Sequence, residues 1–406
     1  MFRHPIARIS IFIFLVILAI LNLQIALDAQ SSYSRKKSNK RPGKFLSQPS
    51  ILVAHGKQKL ADHNKALPEA QFFFQAALKS NPLYIPAWLA MGNLFLNKGD
   101  KVRAMQILEY VNDLMEDVSH WRWEKIKLAY RLNRDDIVES DFAWLLKQKN
   151  TQDHVRQKVL KSVFASWPNP EVLLQKMGFD NLETFFKYAV NTNNLAMARY
   201  FWPLFEQINP EPEQVIRYID KLINANDVHS AKTIWKKYFP SETLIYNPAF
   251  KFPLQNRGFG WRLREHPGVR VSSRKDQTLN TDVIQLHFTG KNDTNYSHLR
   301  QYVPLSPNQS YTLSFKARSK NLISKQRPFI KIKGLHCQMK PVFSKMVDIQ
   351  QNWQTFTMDF QVPPQCQAVQ IMLKRRQSEN KKSFLEGDVW LTDFSLRPRN
   401  KVTLKN

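Results

Sequence analysis

The sequence lacks the short motifs that mark the common catalytic sites. It has no Walker phosphate-binding loop, no G-x-S-x-G, no H-E-x-x-H and no Cys-x-x-Cys. Carboxylates in its C-terminal region are few and scattered, without the strand-anchored pair that glycoside hydrolysis needs; they are Glu265, Asp276, Asp282, Glu386 and Asp388. These absences predict a protein that is not an enzyme and that uses no cofactor.

Cysteine is also scarce, because the chain contains only Cys337 and Cys366. Zinc usually takes four ligands, so two thiols in a β-rich region favour a disulfide over a metal site. The neighbouring His336 could be a third ligand, but a surface histidine is the more common case. A bridge closing a loop of about thirty residues would stabilise the fold by about 3–4 kcal/mol on the loop-entropy account.

Acidic residues are few beside basic ones: 33 Asp and Glu against 60 Lys and Arg, a net charge of +27 over 406 residues. The chain is 43% hydrophobic and contains 27 Phe, 12 Tyr and 10 Trp, which excludes gross disorder. The charge therefore lies on folded surfaces. Such surfaces attract acidic polysaccharides, phospholipid headgroups or nucleic acids, although many basic surfaces are only solvated.

One long apolar run is present, the nineteen residues of Ile9–Leu27, which carry no charge. At about 1.5 Å per residue this run just spans the hydrocarbon core of a bilayer. A signal peptide is the alternative, but Leu27-Asp28-Ala29 is a poor cleavage site. We therefore predict a tail over residues 1–8, an uncleaved transmembrane anchor over 9–27 and a flexible basic linker over 28–50.

The orientation of this anchor is predicted from charges that point both ways. Six cations between Arg35 and Lys44 would place the C-terminal part in the cytoplasm. However, Arg8 directly precedes the apolar run, the first cation beyond it is Arg35, and paired cysteines favour an oxidising compartment. The prediction is a single-pass protein of the inner (cytoplasmic) membrane with the bulk of the chain periplasmic.

Helical periodicity begins at Ile51. Ala70, Phe74, Ala77 and Pro82 have the spacing A-x3-F-x2-A-x4-P, and Trp88, Met91, Gly92 and Phe95 approximate W-x2-L-G-x2-Y. A second alignment has a period of thirty-three and pairs Ala198 with Ala231, Trp202 with Trp235 and Phe205 with Tyr238. These spacings resemble the tetratricopeptide repeat. They predict an α-solenoid over 51–240, whose concave face would dock a protein partner.

After Pro240 the pattern changes to short alternating strands. In the stretch Trp353–Arg376, one run places Phe356, Met358 and Phe360 on one face, and a second run does the same with Val369, Ile371 and Leu373. Seven or eight such strands predict an antiparallel two-sheet β-sandwich, a jelly roll, over 244–398 with a basic tail over 399–406. The predicted fold class is thus multidomain α + β.

Three segments of this region resemble a jelly-roll carbohydrate-binding module: NPAFKFPLQNRGFGW from Asn247, LRQYVPLSPNQSYTLSFKAR from Leu299 and GDVWLTDFSL from Gly387. With the anchor and the repeats, the chain resembles envelope proteins associated with bacterial exopolysaccharide assembly. The resemblance implies a structural calcium ion near Asp393. Lys251 stands where an acidic residue would be expected, so Asp393 is a weak calcium candidate and no metal is predicted.

Sugar rings stack on exposed aromatic rings, and polar side chains bind their hydroxyl groups. For any single residue, core packing or a plain surface position is the alternative. The run Lys374-Arg375-Arg376 favours an anionic glycan. The candidate binding residues are Trp261, Tyr296, Tyr302, Trp353, Gln301, Arg300, Arg375 and Asn295.

Together these features predict a membrane-anchored, non-catalytic scaffold. Its solenoid would dock a protein and its sandwich would bind a polysaccharide, in exopolysaccharide assembly or export. The alternative is a pure assembly factor whose sandwich binds no glycan. A cytoplasmic adaptor for nucleic acid is disfavoured, because the chain lacks the interleaved aromatic and basic motif of a known nucleic-acid fold.

Overall fold

A computed structural model of the chain describes residues 48–61, 67–115, 120–148, 153–291, 295–377 and 384–399. These residues form twelve α-helices followed by ten β-strands. The described residues divide into two compact units, with the division between Asn181 and Leu182. The predicted anchor at 9–27, the tail at 1–8, most of the 28–50 linker and all but Arg399 of the 399–406 tail lie outside the described residues.

None of the described helices is both long enough and apolar enough to cross a bilayer. The longest of them have 14 residues, which is about 21 Å at 1.5 Å per residue, whereas a hydrocarbon core is about 30 Å thick. This finding contradicts the predicted localisation. The assignment to the inner membrane as a single-pass protein with a periplasmic bulk is therefore corrected and not retained.

The first unit is helical. Small residues at Ala70, Ala77 and Ala104 are fully buried, which lets neighbouring helices approach closely. Consecutive helices pack together across short loops, α1 with α2, α3 with α4 and α5 with α6. The helices are α1 (Pro49–Ala61), α2 (Leu67–Ser80), α3 (Ile85–Asn97), α4 (Lys101–Leu114), α5 (Arg122–Arg131), α6 (Asp135–Lys147), α7 (Asp153–Ser166) and α8 (Pro170–Met177), followed by a 3₁₀ turn at Phe179–Asn181.

A buried cluster of charges joins α5 to α6. Asp141 is 1% exposed, and its Oδ1 pairs with the Arg122 guanidinium and, at 2.9 Å, with Lys125 Nζ. Arg122 also lies over the Trp144 ring, 3.9 Å from its centroid. Burial lowers the pKa of Lys125, and Asp141 offsets part of that effect. One buried carboxylate therefore pairs with both cations.

The second unit begins with four helices: α9 (Leu182–Asn191), α10 (Leu195–Glu206), α11 (Pro212–Asn224) and α12 (Val228–Tyr238). Ala198 and Ala231, equivalent in the predicted repeat, are both fully buried. Trp235 of α12 contacts Tyr246 and Phe259, with ring centroids 5.1 Å and 5.7 Å away. These contacts explain why the last helices share a unit with the strands, although the sequence pattern changes after Pro240.

The strands form two antiparallel sheets. The first sheet has the order β1-β4-β9-β6-β7 and the second β2-β3-β10-β5-β8. The predicted division into a helical N-terminal part and an antiparallel two-sheet sandwich is confirmed. The strands are β1 (Trp261–Leu263), β2 (Val269–Asp276), β3 (Thr281–Thr289), β4 (Leu299–Pro304), β5 (Ser310–Ile323), β6 (Phe329–Gly334), β7 (Val342–Phe343), β8 (Gln351–Gln361), β9 (Ala368–Lys374) and β10 (Glu386–Pro398).

The stretch Trp353–Arg376 supplies one strand to each sheet. β8 is an edge strand that pairs with β5, whereas β9 lies at the centre of the other sheet between β4 and β6. Val369, Ile371 and Leu373 face the core, and the outward side of β9 is buried as well. The Pro-Pro connection therefore carries the chain from one sheet to the other.

A disulfide joins Cys337 to Cys366, with their Cα atoms 5.4 Å apart. It lies just beyond the end of the β6–β9 ladder, whose last pair is Gly334 with Val369. Leu335 N–H then donates to Ala368 O at 3.0 Å. The pair predicted from the sequence is thus bonded in the structure.

Gly258 lies in the loop before β1, where its backbone packs closely against Trp235 of α12. Its φ is +56°, and a Cβ atom there would lie 2.3 Å from the Trp235 ring. Its backbone N–H donates to Asp220 Oδ1 at 2.7 Å. A side chain would therefore meet both backbone strain and a rigid aromatic ring.

We expect Gly258→Ala to lower the free energy of unfolding by about 1–3 kcal/mol, because the indole cannot move away without disturbing its neighbours. Gly99→Ala is the matched control, since Gly99 also has a positive φ, +82°, but its Cβ would meet no atom within 4 Å. Urea denaturation of both variants separates strain from overlap. Equal losses in the two variants would show that the contact with Trp235 is unimportant.

Candidate functional site

The predicted carbohydrate-binding residues do not form one site. Trp261, Tyr296, Gln301 and Arg375 are all 1% exposed or less. A sugar in solvent cannot stack on a ring or reach a side chain that is enclosed in the core. These four residues are therefore removed from the candidate site.

Each of the four has an internal role instead. Trp261 packs on Phe394, with centroids 4.9 Å apart, and its Nε1–H donates to Asn247 O at 3.1 Å. Gln301 Nε2–H donates to Tyr246 O at 2.7 Å.

Tyr296 and Arg375 form an antiparallel bridge. Burial raises the pKa of the Tyr296 phenol, and Arg375 Nε–H donates to Gln326 O at 3.2 Å. Strand alternation at the end of β9 thus points Arg375 inward, between Lys374 and Arg376.

The other predicted residues lie on outer surfaces of the sandwich. Trp353 is half-buried on the second sheet, and Arg300 and Tyr302 are half-buried on the first sheet. Asn295 Oδ1 accepts from Lys374 Nζ, at the end of β9 in the first sheet, at 2.7 Å. The sequence therefore mixed residues from two separate faces.

The calcium candidate Asp393 forms an ion pair with Lys316, at 2.9 Å. It lies in an irregular part of β10 and has a φ of +51°. Within the part of the chain that the structure describes, no group of three or more His, Cys, Asp or Glu side chains could hold a metal ion. The ammonium group of Lys316 thus pairs with the Asp393 carboxylate, which a calcium ion would need as a ligand.

The outer face of the second sheet carries a line of aromatic and basic side chains, which we name the tryptophan face. Val389 and Leu391, which flank Trp390 in the sequence, point into the core. Because side chains alternate along a strand, Trp390 points outward. Register places Gln285, Trp390 and Arg318 side by side on β3, β10 and β5. The tryptophan face consists of Arg274, Asp276, Gln285, His287, Lys316, Arg318, Trp353, Asp388 and Trp390.

Arginine and tryptophan side chains alternate across this face. The Arg318 guanidinium carbon lies 4.3 Å from the Trp390 ring centroid and 5.1 Å from that of Trp353. Arg274 approaches Trp390 from the other side, at 5.5 Å. Cation–π contacts of this kind attract each guanidinium to the indole ring beneath it.

Asp276 contacts both Arg318 and Trp353. Its Oδ2 pairs with Arg318 at 3.0 Å, and its Oδ1 accepts from Trp353 Nε1–H at 3.3 Å. Burial alone would raise the pKa of Asp276. The hydrogen bond from Leu279 N–H, the Arg318 charge and the Trp353 bond outweigh burial and hold that pKa below its usual value.

A polar group lies beside the rings. Asp388 Oδ1 accepts from Gln285 Nε2–H at 2.8 Å and lies 3.1 Å from His287 Nδ1. Trp390 is only 5% exposed, and its Nε1 has no hydrogen-bond partner among the described residues. The tryptophan face thus offers the half-buried Trp353 ring together with amide, imidazole and carboxylate groups that can bind hydroxyls, while the buried Trp390 ring lies against Arg318.

Sequence reasoning used Trp390 only as part of a motif and missed Arg318, Gln285 and Asp388. The alternation of the strands could have identified Trp390 and Arg318 as outward-facing residues. Trp390 is out of phase with Val389 and Leu391, and Arg318 is out of phase with Ala317. That β10 lies between β3 and β5 could not be read from the pattern.

Comparison with known proteins gives no family. No family model matches the chain, and no curated protein matches it.

Among solved structures, the C-terminal region resembles carbohydrate-binding-module jelly rolls. A structure described as CBM4 is 21% identical and covers 38% of this chain and 99% of its own, with a TM-score of 0.29. TmCBM61 in complex with β-1,4-galactotriose is 16% identical over 39% of this chain and 100% of its own, with a TM-score of 0.27.

The enzymatically active domain of bacteriophage CBA120 tailspike protein 4 is 10% identical over 39% of this chain and 21% of its own, with a TM-score of 0.29.

Proposed function

We propose that the β-sandwich binds a polysaccharide through the tryptophan face and does no chemistry on it. The observation that carries the proposal is the fixed alternation of Trp353, Arg318 and Trp390 across three strands. Sugar rings present C–H groups to indole rings and hydroxyls to polar side chains. The tryptophan face offers both kinds of group on one rigid sheet.

The Trp353 ring does not have to reorganise for a ligand. Asp276 and Arg318 already hold Trp353 in place, so little side-chain entropy remains to be lost on binding. Gln285, His287 and Asp388 lie along the adjoining part of β3 and β10. They supply donors and acceptors for the hydroxyls of a sugar stacked beside them.

The carboxylates of this face support a binding role and not a catalytic one. A glycosidase needs a carboxyl whose pKa is raised so that it can act as an acid. The pKa of Asp276 is lowered, and Asp388 accepts from Gln285 while Asp393 pairs with Lys316. For Asp276, the hydrogen bonds from Leu279 N–H and Trp353 Nε1–H and the charge of Arg318 favour the charged form.

The helices would act as the protein-docking part of the scaffold, as tetratricopeptide-like hairpins. Several apolar side chains on the first unit are exposed, among them Phe72 at 67%, Val102 at 70% and Tyr130 at 64%. Exposed apolar groups of this kind are compatible with partner binding. A place in exopolysaccharide assembly or export stays a prediction.

We expect Trp353→Ala to weaken binding of neutral polysaccharides at least about tenfold, equivalent to about 1.4 kcal/mol. Affinity electrophoresis of the full chain through gels containing xylan, β-glucan or galactan measures this. Trp353→Phe should retain part of the affinity because it keeps an apolar ring. Tyr130→Ala, which removes an exposed ring from α5, is the control and should bind like the unmodified chain.

Two results would overturn the proposal. One is that none of the polysaccharides retards the unmodified chain, which favours the pure assembly factor. The other is that Trp353→Ala migrates like the unmodified chain in a gel that retards both. Thermal unfolding of each variant shows whether a loss of binding comes from a loss of fold.

A further inference from the structure

The first sheet has a strongly basic outer face, which we name the cationic face. Register aligns Arg262, Arg300, Met372, Lys331 and Phe343 in one row across all five strands. The next row contains Tyr302, Gln370 and Lys333, and the row on the other side pairs Phe329 with Lys374. Arg376 follows Lys374 and lies 5.5 Å from both the Phe329 and the Phe343 ring centroids.

The charges of this face are almost unopposed. Arg262 pairs with Asp220 at 2.5 Å and lies over the Tyr302 ring at 4.6 Å. The other five cations form no ion pair with any acidic side chain in the described ranges; they are Arg300, Lys331, Lys333, Lys374 and Arg376. An unopposed group of this size creates a positive potential that attracts anions.

The centre of the face is a closed floor. Met372 and Gln370 of β9 are 7% and 5% exposed although they point outward. Arg300 and Lys331 on the flanking strands are half-buried, while Lys333 and Arg376 are exposed. The Arg300 Nε atom is buried without a hydrogen-bond partner among the described residues. The cations therefore surround a closed surface formed by the thioether of Met372 and the amide of Gln370.

Neighbouring titratable groups respond to this positive charge. Burial lowers the pKa of Lys374, and the charges of Lys331 and Arg376 lower it further. Burial also lowers the pKa of His298, and nearby His266, Arg264, Arg300 and Lys374 add to that effect. The like charges are held together by the fold and oppose one another in the absence of an anion.

We propose that the cationic face is a second binding site, for a polysaccharide that carries carboxylate or sulfate groups. Neighbouring strands are about 4.8 Å apart, so Arg300 and Lys331 are separated by about 10 Å, and Lys331 and Lys333 by about 7 Å along β6. One small anion cannot contact all of these groups. A polymer with repeated negative charges can.

The aromatic side chains argue against a nucleic acid. Proteins that bind single strands offer several open rings on which bases stack. Here Arg262 covers Tyr302, Phe329 is 5% exposed, and only Phe343, at 45%, is open. This site lies on a different sheet from the tryptophan face, so it does not depend on the function proposed for that face.

The test is a charge-removal variant of the full chain, Lys331→Gln/Lys333→Gln/Lys374→Gln. We expect its affinity for polygalacturonate and dextran sulfate to fall at least about tenfold at physiological ionic strength. The control, Lys57→Gln/Lys101→Gln/Lys161→Gln, removes three exposed cations from the helices and should change affinity less than about twofold. Lys333→Gln/Arg376→Gln, with both residues exposed, provides a milder second variant.

A second readout does not depend on affinity. Dextran sulfate should raise the pKa of His298 in an NMR titration because it neutralises the neighbouring cations, and uncharged dextran should leave that pKa unchanged. Trp353→Ala should keep its affinity for acidic polymers, which separates this site from the tryptophan face. Equal losses in the two lysine triples would overturn the proposal. Tighter binding of single-stranded DNA than of the acidic polysaccharides would also overturn it.

Discussion

Replacing Asp141 with alanine is expected to lower the free energy of unfolding by about 3–5 kcal/mol, because it removes the carboxylate that pairs with the buried Lys125 and Arg122. Lys125 is 1% exposed and Arg122 is 4% exposed, so water cannot replace the lost carboxylate without opening the packing of α5 against α6. Urea denaturation followed by circular dichroism at helical wavelengths measures the loss. Glu69→Gln, which removes the charge from the exposed Lys59–Glu69 pair, should change stability by less than about 1 kcal/mol.

A triple variant separates charge from packing. In Arg122→Met/Lys125→Met/Asp141→Leu the whole buried cluster becomes apolar at similar volume, a change that is often neutral or stabilising in other proteins. We expect the triple variant to be more stable than Asp141→Ala, although it loses the contact of Arg122 with the Trp144 ring. If the triple variant is the less stable of the two, the cluster acts through its hydrogen bonds and shape, and the charge argument fails.

The local patterns in the sequence predicted the elements well because they depend on neighbours in the chain. The alternation of Phe356, Met358 and Phe360 identifies a strand with one buried face, and β8 has one. The alternation does not show which strands are neighbours in a sheet, and β8 and β9 follow each other in the sequence. They belong to different sheets, because strand partners are chosen by packing across the whole domain and not by proximity in sequence.

Candidate site residues were harder to predict for the same reason. Arg375 belongs to a basic run that looks like a surface, yet strand alternation buries it while its neighbours Lys374 and Arg376 point outward. Trp353, predicted as a stacking residue, is half-buried on the second sheet; its partner Arg318 comes from β5, and Trp390 comes from β10. A composite face of this kind can be assembled only when the order of the strands is known.

The two faces also show how a net charge of +27 is distributed within one sandwich. On the tryptophan face, Arg318 is opposed by Asp276 and Lys316 by Asp393. On the cationic face, Lys331, Lys333 and Lys374 have no such partners among the described residues. Binding at the first face should therefore depend weakly on salt, and binding at the second strongly.

Removing the disulfide by Cys337→Ala/Cys366→Ala is expected to lower the free energy of unfolding of the second unit by about 3–4 kcal/mol. The bond spans 29 residues, and on the loop-entropy account most of its effect lies in restricting the unfolded chain. The folded sandwich should change little, since Cys366 is fully buried and alanine nearly fills its place. Near-ultraviolet circular dichroism of the double variant should match that of the unmodified chain.

The denaturant slope distinguishes this account from a loss of native contacts. Without the cross-link the unfolded chain is more expanded, so the m-value of urea unfolding should rise together with the fall in stability. Reducing the unmodified chain should reproduce both changes, whereas the double variant should not respond to reductant. A fall in stability with an unchanged m-value would place the contribution in the folded state instead. The bond would then act by fixing the end of the β6–β9 ladder, close to Lys333 of the cationic face, and its removal should weaken binding of acidic polysaccharides as well.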